Sequence, residues 1–142
     1  MSKIVEKRGK IQKQPTPQNN IAFSFRFFTD NKDFSTTGMK AGDKGEILEE
    51  LIAKLRELSG MTYTDALLLP KGRGAETIPQ SELAETLQNI CKECPVLGEN
   101  EKVIVFRFNR QKCRMICTND ATDKNVLYII ALDLHFNAYD HG

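Results

Sequence analysis

The last third of the chain restricts the fold most. Three apolar segments follow one another: KVIVFRFN over 102–109, QKCRMICT over 111–118 and VLYIIALDLHF over 126–136. Asn109, Arg110 and Gln111 form the first link, and the polar residues 119–125 form the second. Links this short join neighbouring antiparallel strands, because a parallel return needs a crossover of about a dozen residues or more. Residues 126–132 are almost continuously apolar, which predicts a central strand buried on both faces. Whatever precedes this meander has to pack against it.

The first half supplies the packing. Residues 21–28 (IAFSFRFF) read as a strand, with Phe23, Phe25 and Phe27 on one face and Ser24, Arg26 and Phe28 on the other. Arg26 is there either as a half-exposed charge or as a phosphate ligand. Residues 43–59 predict a helix. Asp43 and Glu46 have capping-box spacing, Gly60 follows as a stop, and Ile47, Leu48, Leu51, Ile52, Leu55 and Leu58 form one stripe. Residues 62–68 suggest a short helix capped by Thr62, and residues 81–91 a further helix capped by Ser81. Between them Lys71-Gly72-Arg73-Gly74 reads as a loop, without the strand–helix context of a phosphate-cradling motif. The expected class is α+β in the order β-α-α-β-β-β, an antiparallel sheet with helices packed on one face.

Residues 1–20 hold five bases and one acid and few apolar groups, so they are read as a flexible basic arm ahead of a single domain over 21–142. Residues 43–100 carry six bases against eleven acids, and the whole chain is nearly neutral. Strong non-specific attraction to nucleic acid is therefore not expected of the molecule as a whole, although a local basic face remains open. No apolar run approaches the length of a membrane span, and residues 1–17 are polar and basic with no apolar segment of the kind a secretory leader carries. The expectation is a cytoplasmic chain with reduced thiols.

Cys91, Cys94, Cys113 and Cys117 nearly match a zinc ribbon in spacing. Geometry opposes that reading. Residues four apart on a strand lie roughly 13 Å apart, while one tetrahedral zinc needs its sulfurs within about 4 Å of each other. The thiols are read as small buried hydrophobes, and no metal or cofactor is implied. The Cys91–Cys94 pair follows a helix instead of opening one, so nothing there favours a thiolate.

The residues suited to chemistry gather late in the chain. Arg107, Lys112 and Arg114 lie on the hairpin strands, and LDLHFNAYDHG closes the sequence with His135, Tyr139 and His141. Alternation puts Asp133 and His135 on one face, opposite Leu132 and Leu134. Such a set suits RNA cleavage through the ribose 2′-OH. One group removes the hydroxyl proton, a cation stabilises the phosphate, and an acid protonates the leaving oxygen. The same residues equally suit a solvated sheet face with a tyrosine packing the chain end.

The β-α-α-β-β-β order, the arginine-bearing strand KVIVFRFNRQKCRMICT and the short polar-aromatic tail resemble the RelE/ParE superfamily of bacterial toxins. FSFRFF and LDLHFNAYDHG also resemble short bacterial and phage proteins. The resemblance covers residues 21–142. It implies a metal-independent endoribonuclease, acting as the toxin of a toxin–antitoxin pair or in phage defence. Its partners would be RNA or the ribosome, and an antitoxin-like protein. It further implies that Arg107, Lys112 and Arg114 hold phosphate, and that Tyr139 and His141 stack on a base or transfer a proton. His135 is a further catalytic candidate, and Arg26 joins the substrate-binding set. The alternative is a non-enzymatic interaction module of the same fold that binds a protein or nucleic-acid partner.

Overall fold

The structure, a computed structural model, describes residues 19–135 together with Ala138 and Tyr139. Five strands form one sheet: β1 (Ala22–Ser24), β2 (Glu76–Ile78), β3 (Val103–Phe108), β4 (Cys113–Asn119) and β5 (Val126–Asp133). Three α-helices accompany them: α1 (Ala41–Ser59), α2 (Tyr63–Leu67) and α3 (Glu85–Lys92). The class is α+β, as the sequence predicts. The spatial order is β1-β5-β4-β3-β2.

The meander is formed as expected: β3–β4 and β4–β5 are antiparallel. Two features of the sheet differ from expectation. β1 pairs with β5 in parallel, so the sheet is mixed. The chain leaves β1, passes through every other element and only then returns as β5, so no hairpin fixes the relative direction of the two strands. β2 is an additional edge strand on β3, three residues long, in a stretch where the sequence pattern predicts no element. So short an edge strand leaves no periodic signature.

The helices lie on both faces of the sheet, not on one. Strand alternation explains this. Ile104, Phe106, Met115, Cys117, Leu127 and Ile129 form one core with Ile47, Leu51 and Leu58 of α1 and with Tyr63 and Ala66 of α2. Val103, Val105, Ile116, Ile130 and Ala131 form the other with Leu83 and with Leu87, Ile90 and Cys91 of α3. β5 is buried on both sides, with Leu127 and Ile129 to Leu132 all at 0% exposure, as its apolar run predicts.

A bulge in β5 decides which side chains face which core. Ile116 pairs with Ala131 and Cys117 with Ile129, leaving Ile130 without an opposite residue. Ile130 and Ala131 therefore both face the α3 core, and the alternation beyond them is reversed. Leu132 and Leu134 face the α1 core, and Asp133 falls on the α3 side.

Several element boundaries also shift. The first strand ends at Ser24, since Phe25 to Phe28 form a turn closed by the Phe28 N–H donating to the Phe25 carbonyl at 3.0 Å. The three phenylalanines consequently do not share a face: Phe23 packs on the α1 core, Phe27 on the α3 core, and Phe25 is exposed. α1 starts at Ala41, with Asp43 inside its first turn and no side-chain cap. Its buried stripe is Ile47, Leu51, Lys54 and Leu58, whereas Leu48 and Ile52 are exposed. Thr62 caps α2 as expected, accepting from the Asp65 N–H at 3.1 Å. α3 begins at Glu85, because residues 80–82 form a separate 3-10 turn.

Candidate functional site

Four charged side chains line up across four strands on the α3 side of the sheet. The register places Arg107 of β3 opposite Arg114 of β4, and Arg114 opposite Asp133 of β5. Glu76 of β2 flanks Arg107 on the outer side. The row is acid, base, base, acid. Two adjacent cations would repel across strands, and the flanking carboxylates offset this. Arg107 Nε lies 3.5 Å from Glu76 Oε2, and Arg114 Nη1 lies 3.7 Å from Asp133 Oδ2. The β5 bulge makes the second pair, since unbroken alternation would aim Asp133 into the α1 core.

Tyr139 covers the row. The Arg114 guanidinium carbon sits 3.8 Å from the centre of its ring, a cation–π contact. The Tyr139 hydroxyl donates to Glu76 Oε1 at 3.4 Å. The segment carrying Tyr139 is tied down by the Ala138 N–H donating to Asp133 Oδ2 at 2.8 Å, by the Ala84 N–H donating to the Ala138 carbonyl at 2.7 Å, and by a bridge between Leu83 and Tyr139.

Burial governs the electrostatics here. Arg114 is 0% exposed and Asp133 1%. Burial lowers the Arg114 pKa from its usual value, opposed by the attraction of Tyr139 and Asp133. Burial raises the Tyr139 pKa, with Arg114 opposing. The phenol therefore keeps its proton at neutral pH, which fits it to donate and not to act as a base.

Of the residues singled out from sequence, Arg107, Arg114 and Tyr139 come together in this row. The others do not join it. Lys112 is exposed at the end of the β3–β4 turn, and His135 is exposed just past β5. Arg26 lies in the turn after β1, exposed, with its guanidinium 5.0 Å from the Phe27 ring centre. His141 and most of the basic arm lie outside the described residues. Sequence reading missed the role of Glu76, on a strand too short to detect. It noted Asp133 without its partner, because the bulge that brings Arg114 opposite it has no local sign.

The cysteines divide by face. Cys113 and Cys117 lie in the α1 core, and Cys91 and Cys94 in the α3 core. With the sheet between the pairs, one ion cannot take all four sulfurs. All four are buried free thiols whose pKa burial raises, Cys91 to about 11. Among the described residues no cluster of three or more His, Cys, Asp or Glu is arranged to hold a metal. No helix among them is long and apolar enough to cross a membrane.

Comparison with known proteins finds no matching family model, no matching curated protein and no matching solved structure.

Proposed function

We propose that this chain is a non-enzymatic interaction module that binds a protein or nucleic-acid partner. The observation that carries the reading is the burial of Arg114 beneath Tyr139, with each base of the row matched by an acid. A phosphate-cleaving site needs a cation that substrate can reach and whose charge is free to stabilise the transition state. Here the charges are already balanced and the centre is closed, which suits a structural clasp that fastens the chain end to the sheet. Among the described residues, helices also pack on both faces of the sheet, where an RNA strand would have to lie.

A second reading, a RelE-like metal-independent endoribonuclease acting as a toxin or in phage defence, is favoured by one fact. Arg107, Arg114 and Tyr139, three of the residues that the resemblance implies, do meet. Opening of the 138–139 segment would then have to precede catalysis.

Inducible expression in a bacterium, together with incubation of purified protein and labelled RNA in chelator, separates the two. The module reading expects no growth arrest and intact RNA. Chelator-resistant cleavage that is lost in a folded Tyr139→Phe or His141→Ala variant would overturn it in favour of the nuclease.

A further inference from the structure

The two basic loops that the row does not use meet at one end of the sheet. The first, Lys71-Gly72-Arg73-Gly74, follows α2. The second is the β3–β4 turn, Asn109-Arg110-Gln111, followed by Lys112. Gly72 holds a positive φ of 89°, and a Cβ there would stand 2.8 Å from Gln111 Nε2, so the loops are in direct contact. An open cleft of about 240 Å³ runs beside them. Its lining includes Lys54, Arg73 and Arg110, against the acids Glu50 and Glu57. Lys71 and Lys112, each adjacent in sequence to a lining residue, are exposed.

Both loops are held rigidly. Buried Lys54 donates to the Arg73 carbonyl at 2.6 Å and pairs with Glu57 at 3.3 Å. Arg73 Nη2 lies 3.0 Å from Glu57 Oε2. Glu57 is thus already engaged by two cations. The Arg73 and Gly74 N–H groups close the loop on the Pro70 carbonyl at 3.0 and 3.3 Å. In the facing turn, Asn109, Arg110 and Gln111 all have positive φ, at 53°, 57° and 67°. Three consecutive non-glycine residues in the left-handed region persist only where the surroundings enforce them. Arg110 and Lys112 are exposed, as are Lys71 and Arg73. Among the described residues no ion pair engages Lys71, Arg110 or Lys112.

We infer that this basic pole binds the phosphate backbone of a nucleic acid, an inference that rests on the interaction-module reading and names its partner. Single phosphates are best held by enclosed, bidentate sites. Several exposed cations on long stems across two fixed loops suit a repeating polyanion instead. Among the described residues lining the cleft the one aromatic, Phe108, is buried at 4% exposure and offers no face for a base to stack on. Recognition is therefore of the backbone and independent of sequence. With about four bases neutralising phosphates on a single strand, log K should fall with log salt at a slope of about −3.

The test is fluorescence anisotropy of the full chain with a labelled mixed-sequence RNA oligonucleotide across a salt series, repeated with duplex DNA. The pole variant is Lys71→Glu/Arg110→Glu/Lys112→Glu. Two controls carry the same charge change, Lys92→Glu/Lys102→Glu/Lys124→Glu at exposed sites elsewhere and Lys7→Glu/Arg8→Glu/Lys10→Glu in the arm. Thermal melting verifies that each folds. The expected result is salt-dependent binding that the pole variant weakens at least about tenfold, with both controls well below that. Absence of binding at low salt, or equal loss in the pole and Lys92/Lys102/Lys124 variants, overturns the inference. Loss confined to the arm variant overturns it too, but leaves the module reading standing. Cleavage of the RNA overturns the module reading itself.

Discussion

Arg114 has no exposed surface, and Asp133 and the Tyr139 ring face its charge. Truncating one member of a buried pair leaves the other charge uncompensated. Arg114→Ala should therefore cost about 3–5 kcal/mol, read from urea unfolding. Replacing both partners, as Arg114→Met/Asp133→Leu, should recover most of that. Asp133 also accepts the Ala138 N–H, a single hydrogen bond worth about 1 kcal/mol. A loss below about 1 kcal/mol in Arg114→Ala would show the guanidinium to be solvated in solution. The cysteines give a second check at this scale. Each is buried and its thiol held above the ordinary pKa, so a disulfide reagent at neutral pH should label none in the native state and all four after denaturation. Rapid labelling of Cys91 or Cys94 in native protein would mean that the α3 side opens readily.

Element by element, α1 shows how a long apolar pattern can mislead about which face is buried. Six apolar residues read as one stripe, but the sheet contacts only a narrow band. Lys54 takes a place in that band because its ammonium reaches the Arg73 carbonyl and pairs with Glu57. Leu51→Ala should cost about 2–5 kcal/mol, whereas Ile52→Ala, at a site 61% exposed, should stay within about 0.5 kcal/mol. Parity between the two would mean that Ile52 is covered in solution. The β3–β4 turn carries local strain of a different kind. Gln111→Gly should stabilise the protein by up to about 1 kcal/mol, because glycine adopts a φ of 67° without the penalty on a side chain. A destabilised variant would show that the contact of Gln111 with Gly72 outweighs the strain.

For the molecule as a whole, two cores share one sheet, and each closes over tyrosines. Burial raises the pKa of Tyr63 and Tyr139, and the hydrogen bond to Asp120 raises that of Tyr128. A phenol whose folded pKa is raised stabilises the fold fully below the ordinary tyrosine value. That contribution is lost as pH rises through the folded value. Ultraviolet titration of the native protein should thus place all three tyrosines above the usual 10. Stability should decline in the same alkaline range, less steeply in Tyr139→Phe. Tyr63 or Tyr139 titrating normally at 10 would mean that its cover is open in solution, and Tyr128 doing so would mean that its hydrogen bond to Asp120 is not held.

Patterns with a local cause were readable from the residues alone. The order of β3, β4 and β5 follows from short links between apolar runs, and the burial of β5 from its unbroken apolarity. Thr62 marks the start of α2 by its side chain. The sequence also narrowed the candidate site to the late strands and the chain end, where Arg107, Arg114 and Tyr139 do converge. Everything that depends on a distant partner was settled by the fold. The direction of β1 was open because no short link ties it to β5, and the fold pairs the two in parallel. The second helical face exists because alternation makes both sides of the central strands apolar. Glu76 joins the row from an edge strand held only by β3. The contact of Gly72 with Gln111 joins two loops almost forty positions apart. Above all, one extra residue in β5 turns Asp133 toward Arg114. Local periodicity cannot carry that information, because a bulge is defined by the strand opposite it.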